Sequence, residues 1–211
     1  MILNQITDGL KRRLKEPLPG LEAQVRMAPL RRLTELERFK VPDNARRSAV
    51  LILFYPGADG VQFPLILRNS YEGVHSGQIG LPGGRYEETD QNLLHTALRE
   101  AEEEVGVPPA DVEVLGSLSE LYIPPSNFLV QPYLGVAHRR PDFVPDPTEV
   151  ASLIEARLDR VRDSRYYQKS RIRHSSGVDM EVPSFNVQGH VVWGATAMML
   201  SELLQVLDEA D

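Results

Sequence analysis

Four glutamates fall within five residues, at Glu100, Glu102, Glu103 and Glu104. They stand on a stretch whose apolar residues, Leu93, Leu94, Ala97, Leu98, Ala101 and Val105, recur at helical spacing. At about 100° per residue the apolar set forms one stripe. Glu100, Glu103 and Glu104 fall together beside it, and Glu102 falls on its other side. Carboxylates at i,i+3 and i,i+4 spacing repel one another. A hard divalent cation relieves that repulsion, and oxygen ligands are what Mg²⁺ takes. The competing interpretation is a solvated acidic helix face, which is what most charge runs are.

Punctuation around the glutamates gives them a setting. Gly83 and Gly84 suit a tight turn, or a loop whose N–H groups come close to a phosphate, because glycine has no Cβ to block the approach. Thr89 and Asp90 are good N-cap types, and Gly106 is a natural helix stop. The spacing therefore predicts a glycine turn, a helix and a stop.

The rest of the chain predicts the elements that hold this unit. Residues 2–15 carry apolar residues at helical spacing. Residues 16–45, with four prolines, read as an ordered arm containing one short helix near 33–39 and wrapping the fold. Residues 48–55 and 61–67 form a hairpin, with Pro64 marking an edge or a bulge. A polar loop covers 68–80. Residues 112–122, 128–138 and 149–156 read as strands, 158–163 as a helical turn, 171–173 and 180–186 as hairpin strands, and 192–207 as a helix. Met198, Met199 and Trp193 are assigned to the core. Strands with helices before, between and after predict a layered α/β fold. The division is 1–45, a helix and arm packed on the domain, and 46–211, the domain itself.

Composition narrows the function. The chain has 211 residues, 42% hydrophobic and 25% charged, with a formal net charge of −7 and no cysteine. Thiol catalysis and disulfides are excluded. The acidic balance argues against nucleic acid as a partner. No apolar run approaches the ~18 residues of a membrane span, and no secretory leader pattern stands at the start, so a cytoplasmic protein is expected, with no membrane partner.

Residues 99–107, Arg-Glu-Ala-Glu-Glu-Glu-Val-Gly-Val, preceded by the Gly-Gly turn, resemble the second half of the Nudix box. The resemblance implies a Nudix-type α/β/α sandwich with a mixed sheet and a loop-helix-loop box. It implies a hydrolase that cleaves a diphosphate bond with Mg²⁺ or Mn²⁺ held by Glu100, Glu103 and Glu104. Arg99, placed with them among the catalytic residues, either binds substrate or holds the carboxylates through Glu103 at i+4.

Residues 65–84, with Ser70, His75, Gly77, Gln78, Ile79, Pro82, Gly83 and Gly84, are similar to the coenzyme A pyrophosphatase branch of that family. Residues 96–101, 126–132 and 192–197 resemble its later segments. Leu67 stands where the branch has Thr, and Gly73 where it has a basic residue. The box is one residue longer from Gly84 than the general pattern, so Arg85 and Gln91 fall at its counted places and Asp90 is the nearest acid. The branch implies substrate contacts at Arg68, His75, Gly77, Gln78, Pro82, Gly83 and Gly84, with Asp90 and Glu149 as further site candidates. A lone loop histidine such as His75 is more often a structural hydrogen-bonder. Arg85, Lys169, Arg171 and Arg173 are other cations available to a phosphate.

The expected partner is a small nucleoside diphosphate linked to another moiety, and a homodimer is left open. Coenzyme A or a derivative leads, to give 4′-phosphopantetheine and adenosine 3′,5′-bisphosphate. ADP-ribose or a nucleotide sugar is the alternative substrate. A catalytically silent nucleotide-binding domain is the alternative class.

Overall fold

Strand β1 (Arg46–Gly57) is apolar at nearly every position from Ala49 to Tyr55 because helices cover both of its faces. Alternation splits the side chains. Ala49, Leu51, Leu53 and Tyr55 enter one core, and Ile52 and Phe54 enter the other. The computed structural model describes residues 2–29, 40–69, 77–173 and 179–210.

The mixed sheet is built around β1. Residues Arg46 to Phe54 run parallel to β7 (Phe128–Val136), while Ser48 to Val50 also pair antiparallel with β4 (Gly83–Arg85) on the opposite edge. The far end of β1 turns through Ala58 and Asp59 into β2 (Gly60–Arg68). Strand β2 then carries β3 (Ile79–Gly80) and β8 (Val150–Arg157). Strand β7 carries β5 (Glu113–Ser117) and β6 (Leu121–Ile123). A separate antiparallel sheet holds β9 (Tyr167–Arg173), β10 (Asp179–Val187) and β11 (His190–Trp193).

Helices complete the layers. Helix α3 (Leu93–Val105) buries Ala97, Ala101 and Val105 on one face of the sheet. Helices α1 (Leu3–Arg13) and α5 (Gly194–Asp208) bury Leu3, Ile6, Leu10, Met198, Met199 and Leu203 on the other. This is the α/β/α sandwich with a mixed sheet. The short helix α2 (Leu21–Gln24) packs on α5, and α4 (Leu158–Arg162) packs between the mixed sheet and β10 of the three-stranded one.

Glu202 ties residues 20–24 to α5. Its buried carboxylate accepts from the Gly20 and Ser119 N–H groups at 3.2 Å each and from Gln24 Nε2 at 2.8 Å. Three neutral donors replace the water the carboxylate lost.

Several expectations need correction. The strand expected over 112–122 is two strands, β5 and β6, separated by residues 118–120, and β5 carries a register shift between Val114 and Gly116, the latter at φ +150. Of the two readings at Pro64, an edge or a bulge, the bulge falls elsewhere, between Leu67 and Arg68 with the extra residue on β8, while Pro64 pairs with Glu155 of β8 beyond Gln62, the last residue of β2 in register with β1. Val192 and Trp193 belong to β11, and α5 starts at Gly194. Strand β11 follows β10 through the two-residue turn Gln188 and Gly189, both at positive φ, a hairpin signal present in the sequence. Trp193 is half-buried at the head of α5 rather than in the core. The short helix expected near 33–39 and the turn expected at 175–178 lie outside the described residues.

Replacing Gln24 by Met keeps the side-chain volume but takes a donor from buried Glu202. Urea unfolding of Gln24→Met is expected to show a loss of about 1–3 kcal/mol. An unchanged midpoint would mean that the contact contributes nothing to stability.

Candidate functional site

Helix α3 starts at Asn92, whose side chain accepts from the His95 N–H at 2.9 Å. Neither Thr89 nor Asp90 is the cap. The helix stops at Gly106, φ +73, whose N–H bonds the Glu102 carbonyl at 2.9 Å. A Cβ on Gly106 would lie 2.9 Å from the Val144 side chain, so the stop is also where residues 144–149 dock. Val144 and Asp146 donate there to the Val105 and Glu104 carbonyls.

Asp90 does a different task. Its side chain has no exposure and collects five donors: Arg99 Nε at 2.9 Å and Nη2 at 3.1 Å, Thr96 Oγ1 at 2.8 Å, the Glu87 N–H at 3.0 Å and the His95 ring at 2.9 Å. The Arg99 guanidinium, helped by these other donors, holds its pKa well below the aspartate range. Arg99 also reaches the Arg85 carbonyl at 3.1 Å, Glu100 at 3.0 Å and Glu103 at 2.8 Å. One guanidinium thus connects the loop ahead of the helix to two of its carboxylates.

Helix α3 and β4 approach each other with nothing between them but glycine. An added Cβ on Gly84 would lie 2.3 Å from a Glu100 carboxylate oxygen, and one on Gly83 would lie 2.3 Å from the Ala49 carbonyl oxygen. Glu104, 1% exposed at the side chain, accepts the Gly83 N–H at 2.7 Å and pairs with Arg68 Nη1 at 3.1 Å. Arg68 Nη2 donates to the Gly83 carbonyl at 2.9 Å.

The three glutamates are not equivalent. Side-chain exposure is 13% for Glu100, 55% for Glu103 and 1% for Glu104. Burial pushes Glu104 up to about 7 against the pull of Arg68 and the Gly83 N–H, and Glu100 and Glu149 add to the rise. Burial also raises Glu100 against Arg99, with Glu103 and Glu149 contributing. Glu149 is exposed, on the loop that docks at Gly106. Asp90, Glu100, Glu103, Glu104 and Glu149 are five carboxylates, set against the two guanidiniums of Arg68 and Arg99.

This excess of negative charge, on oxygen donors alone, fits a hard divalent cation. Among the described residues no three His, Asp or Glu side chains already converge as a coordination shell. Glu104 is turned to Arg68 and Gly83, and Glu103 to Arg99.

The other expected contacts lie around the entry to β4. Gly77 has φ +64, and its N–H meets the Asn69 carbonyl at 3.4 Å, while the Gln78 carbonyl accepts the Arg68 N–H at 3.1 Å. Pro82 is buried, and its carbonyl accepts the Leu51 N–H at 2.9 Å. His75 and Gly73 lie outside the described residues. Sequence reasoning missed Thr96 and His95 as partners of Asp90. The signal was spacing, since Arg99 stands one helical turn on from each, at i+4 from His95 and i+3 from Thr96.

A profile of the NUDIX domain matches residues 45–168. The protein named "Uncharacterized Nudix hydrolase NudL" of Pectobacterium atrosepticum is 39% identical over 140 residues, which is 64% of this chain and 69% of that one. The Arabidopsis thaliana protein named "Nudix hydrolase 15, mitochondrial" is 34% identical over 194 residues, 88% of this chain and 65% of that one. Among solved structures, a MutT/nudix family protein from Enterococcus faecalis aligns over 89% of this chain and 73% of its own with a TM-score of 0.48 at 17% identity.

The Asp90 network makes a pH prediction. A carboxylate whose pKa is lower in the folded than in the unfolded state stabilises the fold above the ordinary aspartate range of about 4, and that contribution is lost as pH falls. Asp90→Asn is therefore expected to cost about 3–5 kcal/mol at neutral pH, the range for breaking a buried pair. It should also flatten the loss of stability below about pH 4. Urea midpoints from pH 7 down to pH 2 test both; a variant with the wild-type slope would contradict the assignment.

Proposed function

The chain belongs to the Nudix family of diphosphate-bond hydrolases, and within it we propose a Mg²⁺- or Mn²⁺-dependent pyrophosphohydrolase acting on coenzyme A or a derivative. The observation that carries the metal and site assignment is the packing of desolvated Glu100 and Glu104 directly on the backbone of Gly83 and Gly84, in a region short of positive charge. Glu100, Glu103 and Glu104 would hold the metal. When bound, the ion supplies Lewis-acid chemistry, offsetting charge on the diphosphate oxygens and lowering the pKa of a water.

The chain's own groups do the rest. The water oxygen forms a bond to one phosphorus, the bond from that phosphorus to the bridging oxygen breaks, and the bridging oxygen leaves with the other phosphate. The water's proton goes to a carboxylate of the cluster. Glu149, exposed on the loop that docks at Gly106, is the acid of the cluster outside the metal set that would receive it. The bare backbone at Gly84 lets the Glu100 carboxylate rest directly on it. Arg99 holds Glu100 and Glu103 in register.

Residues 75–84 support coenzyme A, with products 4′-phosphopantetheine and adenosine 3′,5′-bisphosphate. A second reading, ADP-ribose or a nucleotide sugar, is favoured by Gly73 and Leu67, which depart from the coenzyme A pattern.

A panel of coenzyme A, dephospho-coenzyme A, ADP-ribose and nucleotide sugars, assayed with Mg²⁺ and with Mn²⁺, tests the reading. Coenzyme A is expected to give the highest kcat/KM. A preference for ADP-ribose would select the second reading, and binding without turnover would make the domain a nucleotide sensor. Glu103→Gln is expected to lower kcat by at least about 100-fold while melting as wild type, since it removes one charge from an exposed position. Near-normal turnover in that variant would overturn the metal assignment.

A further inference from the structure

Arg68 stands among the cations expected at a substrate phosphate, yet both terminal nitrogens of its guanidinium bond inside the protein. Nη1 meets Glu104 Oε1 at 3.1 Å and Nη2 meets the Gly83 carbonyl at 2.9 Å, while Glu104 Oε2 accepts the Gly83 N–H at 2.7 Å. The three bonds close a ring around a single residue of β4. Resting on the hydrolysis proposed above, we infer that Arg68 is a positioning residue that locks the Glu104 carboxylate and the Gly83 peptide into one unit, and does not bind substrate phosphate.

Several observations support this. Gly83 has φ +152 and no room for a side chain, so the conformation requires glycine, the residue with most freedom to lose. Its peptide is fixed at both ends by the ion pair that straddles it. Neither Arg68 nor Glu104 turns away without breaking a bond of the other. The next residue, Gly84, is the surface on which the Glu100 carboxylate rests. A shift at Gly83 is therefore felt at Glu100, which Arg68 is not seen to bond.

The placement of Arg68 is itself built into the sheet. Alternation along β2 puts it on the same face as Ile66, the face that α3 covers. Its N–H bonds the Gln78 carbonyl, and it pairs with Val150 across the register shift in β8. That shift supplies one extra residue, Ala151, so Val150 returns to the α3 side and Glu149 follows next to the site. The guanidinium fork then reaches two acceptors at once, which a lysine does not do from the same stem.

The test pairs kinetics with amide exchange. Arg68→Ala is expected to lower kcat by roughly 10–100-fold, the usual loss for a group that orients a ligand, with KM within about twofold of wild type. Arg68→Lys, which keeps one contact, is expected to fall between the two. Hydrogen exchange at the Gly83 amide, followed by NMR, is expected to quicken in Arg68→Ala and less so in Arg68→Lys. A raised KM with kcat retained would show a substrate contact and overturn the inference, as would unchanged exchange at Gly83. If Arg68→Ala does not fold, Arg68→Lys and Arg68→Gln give the same comparison. Should the wild type hydrolyse no diphosphate in the panel, the proposed reaction fails by itself, and Gly83 exchange alone decides the role of Arg68.

Discussion

The site depends on one close approach, that of α3 to a strand with no side chains in the way. Gly83 and Gly84 are wedged between β1 and the helix, with the Ala49 carbonyl and the Glu100 carboxylate in the spaces where Cβ atoms would stand. Any other residue at either position would push the helix from the sheet or the carboxylates from the backbone. The cost of this packing is two desolvated glutamates. It is offset by Arg99 on the loop side and by Arg68 and the Gly83 N–H on the strand side.

The sandwich serves that approach. Strand β1 gives alternate residues to two cores, so it is held from both sides and β4 has a fixed edge to pair with. The far end of α3 is stopped by Gly106 and plugged by Val144, which brings residues 144–149 against the helix. The same loop is secured further back. Arg140 makes a two-pronged contact with Glu155 at 2.7 and 2.8 Å, Tyr55 donates to Glu155 at 2.9 Å, and the Phe143 ring lies edge-on to Tyr55 at 5.3 Å. Glu149 thus rides on a loop anchored at two places. Rigidity of this kind is what a cluster of like charges requires, because repulsion would otherwise spread it.

Much of the site was legible in the sequence because it is local. Periodicity and a terminal glycine located α3 to within a residue or two, and its glutamates came with it. The roles of the individual acids were harder. Glu104 was grouped with Glu100 and Glu103, yet at about 100° per residue it falls between Leu93 and Ala97, inside the apolar stripe. That angle alone called for burial and a partner. The partner, Arg68, is 36 residues away in sequence and meets Glu104 only because the fold packs β2 under α3, which no local pattern reports. Asp90 posed the opposite problem. As a cap type near the helix start it matched a local rule, but Asn92 took the cap and Asp90 turned inward to Arg99. The short strands β3, β4 and β11 escaped notice because two to four residues carry no period, and long-range pairing made them strands.

The central claim is that the acids of α3, resting on Gly83 and Gly84, form the seat of a divalent cation. Crystals of the protein soaked in Mn²⁺ and measured for anomalous scattering test it most directly. The expected map has a manganese peak bound by Glu100 and at least one of Glu103 and Glu104, beside the backbone of the glycine pair. Manganese bound only elsewhere, with these three side chains left in their contacts to Arg68, Arg99 and Gly83, would contradict it.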